Sequence, residues 1–498
     1  MASITHCPGR LVSAGNLGSI LGRSGSVGRH GLMAHPIADL REMALQEPQP
    51  WHWDCLPLQG RTGSAVFSKL FGEGSIATLL ESPYPPSPDY PHLGRYSLCA
   101  GPPRKGRLLT PRLQEIFSVL NQLFRFNHNV NLTENIPDHL PFHGGWLGWL
   151  GYDTAWAIEK LPYLKADDLP FPVAYWYEPE NFAILDHQEQ LLWLATTDRG
   201  QIKLFQTQLA EEDNLISQPQ FPPLNLTYTT DQNQYEAMVN QAKQYIKAGD
   251  IFQANLTLRF IAKSEQKLNS WQVYEHLQTI NPSPFASYWR SPWGDVVSCS
   301  PERLVKLEKN IAQTRPIAGT RPRGKNLDED EQLRRELLVN KKELAEHIML
   351  VDLERNDLGR VCTWGTVEVD ELLAIERYSH VSHLVSNVRG ILQPGKTGVD
   401  LVKALFPGGT ITGCPKVRCL EIIEELEPVR RSLFYGSCGY WDQRGNLDLN
   451  ILIRTLLFTP GQVTGQVGAG IVADSDPTKE WLESLQKAKA LLAALEGV

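Results

Sequence analysis

Segments of helical spacing and segments of strand alternation follow one another along this chain with no repeat period, which restricts it to a mixed α/β (α+β) fold. Residues 231–248, 341–353 and 478–495 carry apolar side chains at helical spacing; in the last, Trp481, Leu482, Leu485, Ala488 and Leu492 share one face. Residues 251–260 alternate as a strand, 143–153 read as a strand interrupted by glycines, and 181–186 with 190–195 form a buried hairpin. No Gly-x-Gly-x-x-Gly turn occurs, which excludes a dinucleotide-binding sheet. Prolines cluster at 216–223, so a linker over 216–229 separates an N-terminal region, 46–215, from a catalytic region, 230–498.

With 498 residues, 42% of them hydrophobic, the chain can bury a sizeable core. A net charge of −8 gives no electrostatic basis for nucleic-acid binding, so the cations that matter act locally in a site. Eight cysteines without a CxxC pair or zinc spacing indicate reduced thiols and a cytoplasmic protein. No apolar run approaches the ~18 residues of a membrane span. Residues 1–45 read as a disordered extension, Ser/Gly-rich with Arg10, Arg23 and Arg29 but no acid before Asp39. A plastid transit peptide, or a true start at Met33 or Met43, fits the same composition. The charged run 325–335 reads as a solvated loop, with a lid as the second reading.

Three loops combine glycine and threonine with fixed cations: Arg315-Pro-Ile-Ala-Gly-Thr-Arg-Pro-Arg-Gly324, Phe406-Pro-Gly-Gly-Thr-Ile-Thr-Gly-Cys-Pro-Lys416 and Val467-Gly-Ala-Gly-Ile471. Backbone N–H groups and cations of this kind suit a small polyanion, although each loop alone marks an ordinary turn. Glu343 and Glu346 lie one helical turn apart, as do Glu480 and Glu483. Two such pairs suit Mg²⁺, while surface acidity is the plainer reading of the same spacing. Arg454 sits among apolar neighbours in 451–455, which read as a strand, and a substrate carboxylate would partner its buried charge. Glu302 follows Ser-Pro at a strand end without structural duty and suits a general acid of raised pKa. By itself His383 reads as a satisfied core histidine, and Lys487 as an i,i+4 partner of Glu483.

These loops, with Ser298-Cys-Ser-Pro-Glu-Arg303 and the segments 343–357 (ELAEHIMLVDLERND) and 376–386 (ERYSHVSHLVS), closely resemble the chorismate-utilising enzymes. The match is to component I of anthranilate synthase and of aminodeoxychorismate synthase, dense over 230–495 and thinner before. The resemblance implies two interleaved lobes of sheet flanked by helices, a cleft between them, and Mg²⁺-dependent amination of chorismate. It places Glu346 and Glu483 on the Mg²⁺ ligands with Glu343 and Glu480 beside them, Glu302 as general acid, and His383 near the reacting ring. It also places Tyr435, Arg454, Lys487 and the amides of Gly468, Ala469 and Gly470 on carboxylates, and Thr320 and Thr410, with Gly319, around the ring.

Relatives that use water as the nucleophile carry a lysine base at the position of Gln253, and glutamine cannot serve as that base. Ammonia is therefore the expected nucleophile, supplied by a separate glutamine amidotransferase subunit, since no Gly-x-Cys-x-Gly turn occurs here. Ala318 is the anthranilate-type residue; many aminodeoxychorismate synthases have a nucleophilic lysine there. Four segments instead resemble the aminodeoxychorismate branch: 406–412, 436–440, 253–256 and 284–288. They favour 4-amino-4-deoxychorismate, with anthranilate as the alternative product. Leu80, Glu81 and Ser82, with Asn281, Pro282, Pro284 and Phe285, resemble a tryptophan pocket, regulatory or structural. A silent homologue binding chorismate or tryptophan is the remaining reading, opposed by intact Glu302, Glu346, His383 and Glu483.

Overall fold

The computed structural model describes residues 50–82, 91–127, 136–211, 221–377 and 381–497, so the expected extension over 1–45 lies outside it. Strands β1 (Gln253–Lys263), β2 (Gly294–Ser300), β3 (Arg303–Glu308), β4 (Ile317–Pro322), β5 (Val381–Ile391), β6 (Leu447–Asn450), β7 (Thr455–Thr459) and β8 (Gln462–Ile471) carry the site. Helices α1 (Lys341–Gly359) and α2 (Pro477–Glu496) flank it.

Two sheets of antiparallel strands organise these elements. The first runs His52–Pro57, Leu191–Thr196, Asn181–Asp186, Tyr96–Ala100, Ala77–Glu81, Phe285–Ser291, β2, β7, β8, β1 and Gly413–Cys414. The second runs β4, β5, Ile311–Thr314, β3, β6, Ser437–Asp442, Gly145–Leu150, Ala174–Pro179 and Pro103–Leu109. Both sheets take strands from either side of 216–229. Within that segment 216–220 lie outside the described residues, and Asn225–Tyr228 adds a strand to β1.

Local signals account for many of the elements. The helix Gln232–Ala248 starts at a capping box made by Asp231 and Gln234 and stops at Gly249, whose φ of 83° suits glycine. The hairpin Asn181–Asp186/Leu191–Thr196 pairs Phe182 with Ala195 and Ile184 with Trp193. Helix α2 starts on Asp476 and Pro477 and ends at Gly497. Its buried stripe is Trp481, Ser484, Ala488, Leu491 and Leu495, and Leu482 is 57% exposed. The expected face was therefore wrong at Leu482, which sits about 100° around the helix from Trp481. Residues 327–339 also depart from expectation, forming the helix Leu327–Val339 rather than a solvated loop. Asn326 caps it by accepting from Glu329 N–H at 2.9 Å, and Asp328, Glu329 and Asp330 face the positive end of its dipole.

Helices Gly63–Phe71, Gln232–Ala248, Ser270–Ile280 and α2 pack on the first sheet through Phe67, Tyr235, Tyr274 and Leu491. Helices α1, Ile116–Asn127 and Gly398–Leu405 share the second core with Trp146, Trp149 and Trp176.

The chain leaves the first sheet for the second between β2 and β3, and returns between β6 and β7. These two crossovers run side by side. Ser300 Oγ donates to Ile451 O at 2.6 Å, Ile451 N–H to Glu302 O at 3.0 Å, and Cys299 N–H to Arg454 O at 3.1 Å. Register confirms the alignment, with Ser298 opposite Thr455 on one side and Arg303 opposite Asn450 on the other. Arg454 consequently lies in a crossover and not in a strand; its φ of 52° breaks the extended run that its apolar neighbours suggested. Ser300→Ala removes the donor to a buried carbonyl, at a cost of about 1–3 kcal/mol. Urea unfolding should show a lower midpoint with an unchanged slope.

Candidate active site

Glu302 occupies the first crossover and is buried. Burial pushes its carboxyl up to about 7, while the Thr410 hydroxyl and the Ile317 N–H act in the opposite direction. Thr410 stands beside it in the turn Gly409–Ile411, its buried Oγ1 making no hydrogen bond of normal geometry among the described residues. The acid predicted from sequence thus retains its proton into the neutral range, which is what a general acid requires.

Arg454 and His383 meet on the neighbouring wall. Burial lowers the pKa of Arg454, with Tyr435 acting against it, and no described side chain donates a carboxylate to this guanidinium. Burial, then the charge of Arg454, pushes His383 down to about 4, against the effect of its hydrogen bond with the Gly319 backbone. His383 is therefore neutral at physiological pH. It lies on β5 opposite Thr320 of β4; the intervening bulge falls at Gly319, whose φ is 74°. Ala318 precedes this bulge, opposite Leu384. Tyr435, with a φ of 64°, donates its N–H to Leu452 O at 2.8 Å. Two bulky residues in left-handed backbone at one site mark it as strained.

The third wall is the free end of β8. Its pairing with β7 stops at Gly465, whereas pairing with β1 continues to Ile471. Asn255 and Thr257 of β1 send their N–H groups away from β8, to Thr412 O at 2.9 Å and Glu427 Oε1 at 2.8 Å. Opposite them, Gly470 and Gly468 also point their amides outward, and Ala469 faces into the ladder. Lys487 Nζ donates to Gly468 O at 2.9 Å and pairs with Glu483 at 2.8 Å. Gln253, the first residue of β1, lies so close to Gly470 that a Cβ there would come within 2.6 Å of its Nε2.

The four glutamates come from helices packed on different sheets, α1 against β4 and β5 and α2 against β8. Glu480 is buried, Glu483 exposed, and Glu343 and Glu346 half-buried. Glu343 Oε1 pairs with Arg321 at 2.8 Å, while its Oε2 is buried with no hydrogen bond among the described residues. This all-carboxylate set, with one orphaned oxygen, suits Mg²⁺ in kind. Arg321 pairs with Glu343 and Lys487 with Glu483. The described trio whose ligand atoms lie within 4.8 Å of one another is His139, Asp186 and Glu189, whose two acids Arg95 also contacts.

A cavity of about 570 Å³ lies between the sheets, lined by Leu80, Glu81, Ser82, Pro284 and Phe285. Ser82 Oγ joins the two segments through Pro284 O at 2.7 Å. Glu81 is committed to Ser64, Tyr274 and Gln278, and Asn281 and Pro282 lie outside the lining. Sequence reasoning passed over Arg431, which is buried between the rings of Tyr152 and Tyr435, each 4.7 Å away. It binds Glu427 at 2.6 Å, Ile411 O at 2.8 Å and Asn255 O at 2.7 Å, so one guanidinium braces three walls; its i,i+4 spacing from Glu427 was the available signal.

A buried acid of raised pKa, a guanidinium without a carboxylate partner among the described residues and two outward glycine amides suit an anionic ligand. The family model described as chorismate binding enzyme matches residues 89–493, and the chain belongs to this family. It is 85% identical, over the full length of both, to the anthranilate synthase component I-like protein of Synechocystis sp. (strain ATCC 27184 / PCC 6803 / Kazusa). The anthranilate synthase component 1 of that organism is 41% identical over 73% of this chain and 78% of its own length. Aminodeoxychorismate synthase component 1 of Bacillus subtilis (strain 168) is 46% identical over 73% of this chain and 79% of its own. The crystal structure of anthranilate synthase component I from Streptococcus pneumoniae TIGR4 superposes with a TM-score of 0.71 at 29% identity, over 80% of this chain and 92% of that one. The protein is the chorismate-utilising component I of such a synthase.

Because folding raises the Glu302 pKa from 4.5 to about 7, the folded state binds this proton more tightly and loses stability as pH rises through that window. At about 1.4 kcal/mol per pH unit the cost is roughly 3 kcal/mol. Glu302→Gln should raise the thermal midpoint by a few degrees at pH 8 and leave it unchanged at pH 4. Equal midpoints at pH 8 would contradict a desolvated acid.

Proposed function

We propose that this component I aminates chorismate at C4, giving 4-amino-4-deoxychorismate. The observation that carries amination is Gln253 beside Gly470: the position that would need a lysine to activate water holds a residue that cannot accept a proton. Four sequence segments support C4 as the position attacked, while the relatives are divided: the B. subtilis aminodeoxychorismate synthase component is 46% identical, and the name of the 85% identical Synechocystis protein, anthranilate synthase component I-like, leans weakly to the alternative. Ala318 favours the second reading, anthranilate, since it stands where a lysine nucleophile would attack C2.

Arg454, Lys487, Tyr435 and the amides of Gly468 and Gly470 hold the two carboxylates of chorismate and fix the ring against Thr410 and Gly319. Glu302 protonates the departing hydroxyl, turning a poor leaving group into water. Neutral His383 stays close to Arg454 without charge repulsion and offers a ring nitrogen to the substrate. Glu346 and Glu483, with Glu343 and Glu480, would hold Mg²⁺, which supplies positive charge for a substrate carboxylate. A separate glutamine amidotransferase subunit delivers ammonia in the cytoplasm, and free ammonium replaces it in vitro. Among the described residues no helix is long and apolar enough to cross a membrane.

Chromatography of the products from chorismate, Mg²⁺ and ammonium, with and without an aminodeoxychorismate lyase, tests the position of attack. We expect 4-aminobenzoate only when the lyase is present. Anthranilate and pyruvate without the lyase would establish the alternative.

A further inference from the structure

Strand β1 turns Leu256, Leu258 and Phe260 into the core of the first sheet, so Gln253, Asn255, Thr257 and Arg259 share its opposite face. Two of these four are fully committed. Thr257 Oγ1 donates to Glu427 Oε1 at 2.8 Å and accepts from Gln466 Nε2 at 2.7 Å. Arg259 donates through Nε to Gln466 Oε1 at 3.1 Å and through Nη1 to Asp168 Oδ1 at 2.6 Å. The commitments stop at Asn255. Its side chain is 8% exposed, and Oδ1 is buried with no hydrogen bond among the described residues. The Gln253 side chain, buried beside Gly470, makes no hydrogen bond to a described residue either.

The backbone of Asn255 is held on both counts: its N–H donates to Thr412 O at 2.9 Å and its carbonyl accepts from Arg431 Nη2 at 2.7 Å. Only the side chain lacks a partner. A buried amide oxygen without a donor costs about 1–3 kcal/mol, and native structures rarely leave one so. Strand β8 supplies none, because Asn255 and Thr257 stand opposite Gly470 and Gly468, and Gln466 is already bonded to Thr257 and Arg259. Asn255 also lies on the wall that the free end of β8 contributes, two residues or about 6.6 Å along the strand from Gln253.

We propose that Asn255 is the ammonia-binding residue of this enzyme, its Oδ1 and the side-chain oxygen of Gln253 accepting N–H bonds from the nucleophile. The orphaned atom is an acceptor, so it calls for a donor and repels a carboxylate. Ammonia is such a donor, with three N–H bonds and one lone pair. Two carbonyl acceptors leave that lone pair free, and neutral amides do not favour ammonium as a carboxylate would.

The inference rests on amination at C4, to which Ala318 brings no amine of the protein's own; free ammonia has to be held for the attack. The ammonia lone pair forms the C–N bond as the C–O bond breaks. The hydroxyl leaves as water with the Glu302 proton, and the surplus proton on the new amine returns to Glu302. Asn255 itself neither gains nor loses a proton.

The test is steady-state kinetics of Asn255→Val with chorismate, Mg²⁺ and free ammonium at pH 8, beside thermal unfolding. The expected result is a rise of about tenfold in KM for ammonium, the loss of one buried hydrogen bond, with KM for chorismate unchanged. The thermal midpoint should be unchanged or higher, since the amide makes no bond within the protein. Asn255→Asp keeps the shape of the side chain and guards against misfolding of the valine variant. Its fixed anion favours the charged form of the ligand, so KM for ammonium should fall, and kcat at pH 8 should drop about tenfold and recover as pH rises. An ammonium KM equal to that of wild type in both variants would overturn the proposal. So would an equal rise in the chorismate KM of Asn255→Val, which would place Asn255 on the ring, or a lower midpoint for that variant, which would make the amide structural. Wild type that forms anthranilate, or no aminated product, overturns the C4 reading and this inference with it; wild type that aminates C4 beside variants of unchanged ammonium KM overturns the inference alone.

Discussion

The hydrogen bonds between the two sheet crossovers, Ser300 Oγ and Ile451 O at 2.6 Å and Ile451 N–H and Glu302 O at 3.0 Å, are the constraint on which the site depends. Each crossover leaves the regular ladder for only a few residues, and each delivers one charged side chain: Glu302 from one, Arg454 from the other. A strand residue would have its direction set by the two-residue alternation of its sheet. A crossover residue is released from that alternation, and the left-handed backbone of Arg454 is the cost of the aim that results, about 1–3 kcal/mol. The ladders on both sides, β2 with β7 and β3 with β6, hold the pair in register.

Burial then sets the charge state of each group. It raises Glu302 to about 7, lowers His383 to about 4 and lowers Arg454. The acid keeps a transferable proton near neutrality and the imidazole stays uncharged beside the guanidinium. Arg431 braces the enclosing walls from behind, where its own charge is matched by Glu427. Arg454 is left as a cation without a carboxylate partner among the described residues, in a chain whose net charge is −8. The field that matters is local.

Features encoded over short stretches were legible in the sequence. The helical spacing over 231–248 and 478–495 and the hairpin over 181–196 were read from neighbours within a few residues; the caps at Asp231 and Asp476 are local too but went unread. Motif order supplied Glu302, His383 and Arg454 before any geometry. What remained hidden depends on pairing across hundreds of residues. The apolar run 451–453 reads as strand continuing into Arg454, and only its position beside Glu302 makes it a crossover. The helix Leu327–Val339 was hidden because its charges suggested solvent, although its cap and acidic first turn were present to be read. The acidic helices were legible as pairs; their salt bridges to Arg321 and Lys487 were not.

The most direct measurement is a crystal structure of Glu302→Gln with chorismate and Mg²⁺, since removing the acid should trap substrate in place. The account predicts the ring between residue 302 and β8, with one carboxylate on Arg454 and the other at the Gly468 and Gly470 amides. Chorismate bound away from Arg454, or in the cavity lined by Leu80 and Phe285, would contradict it.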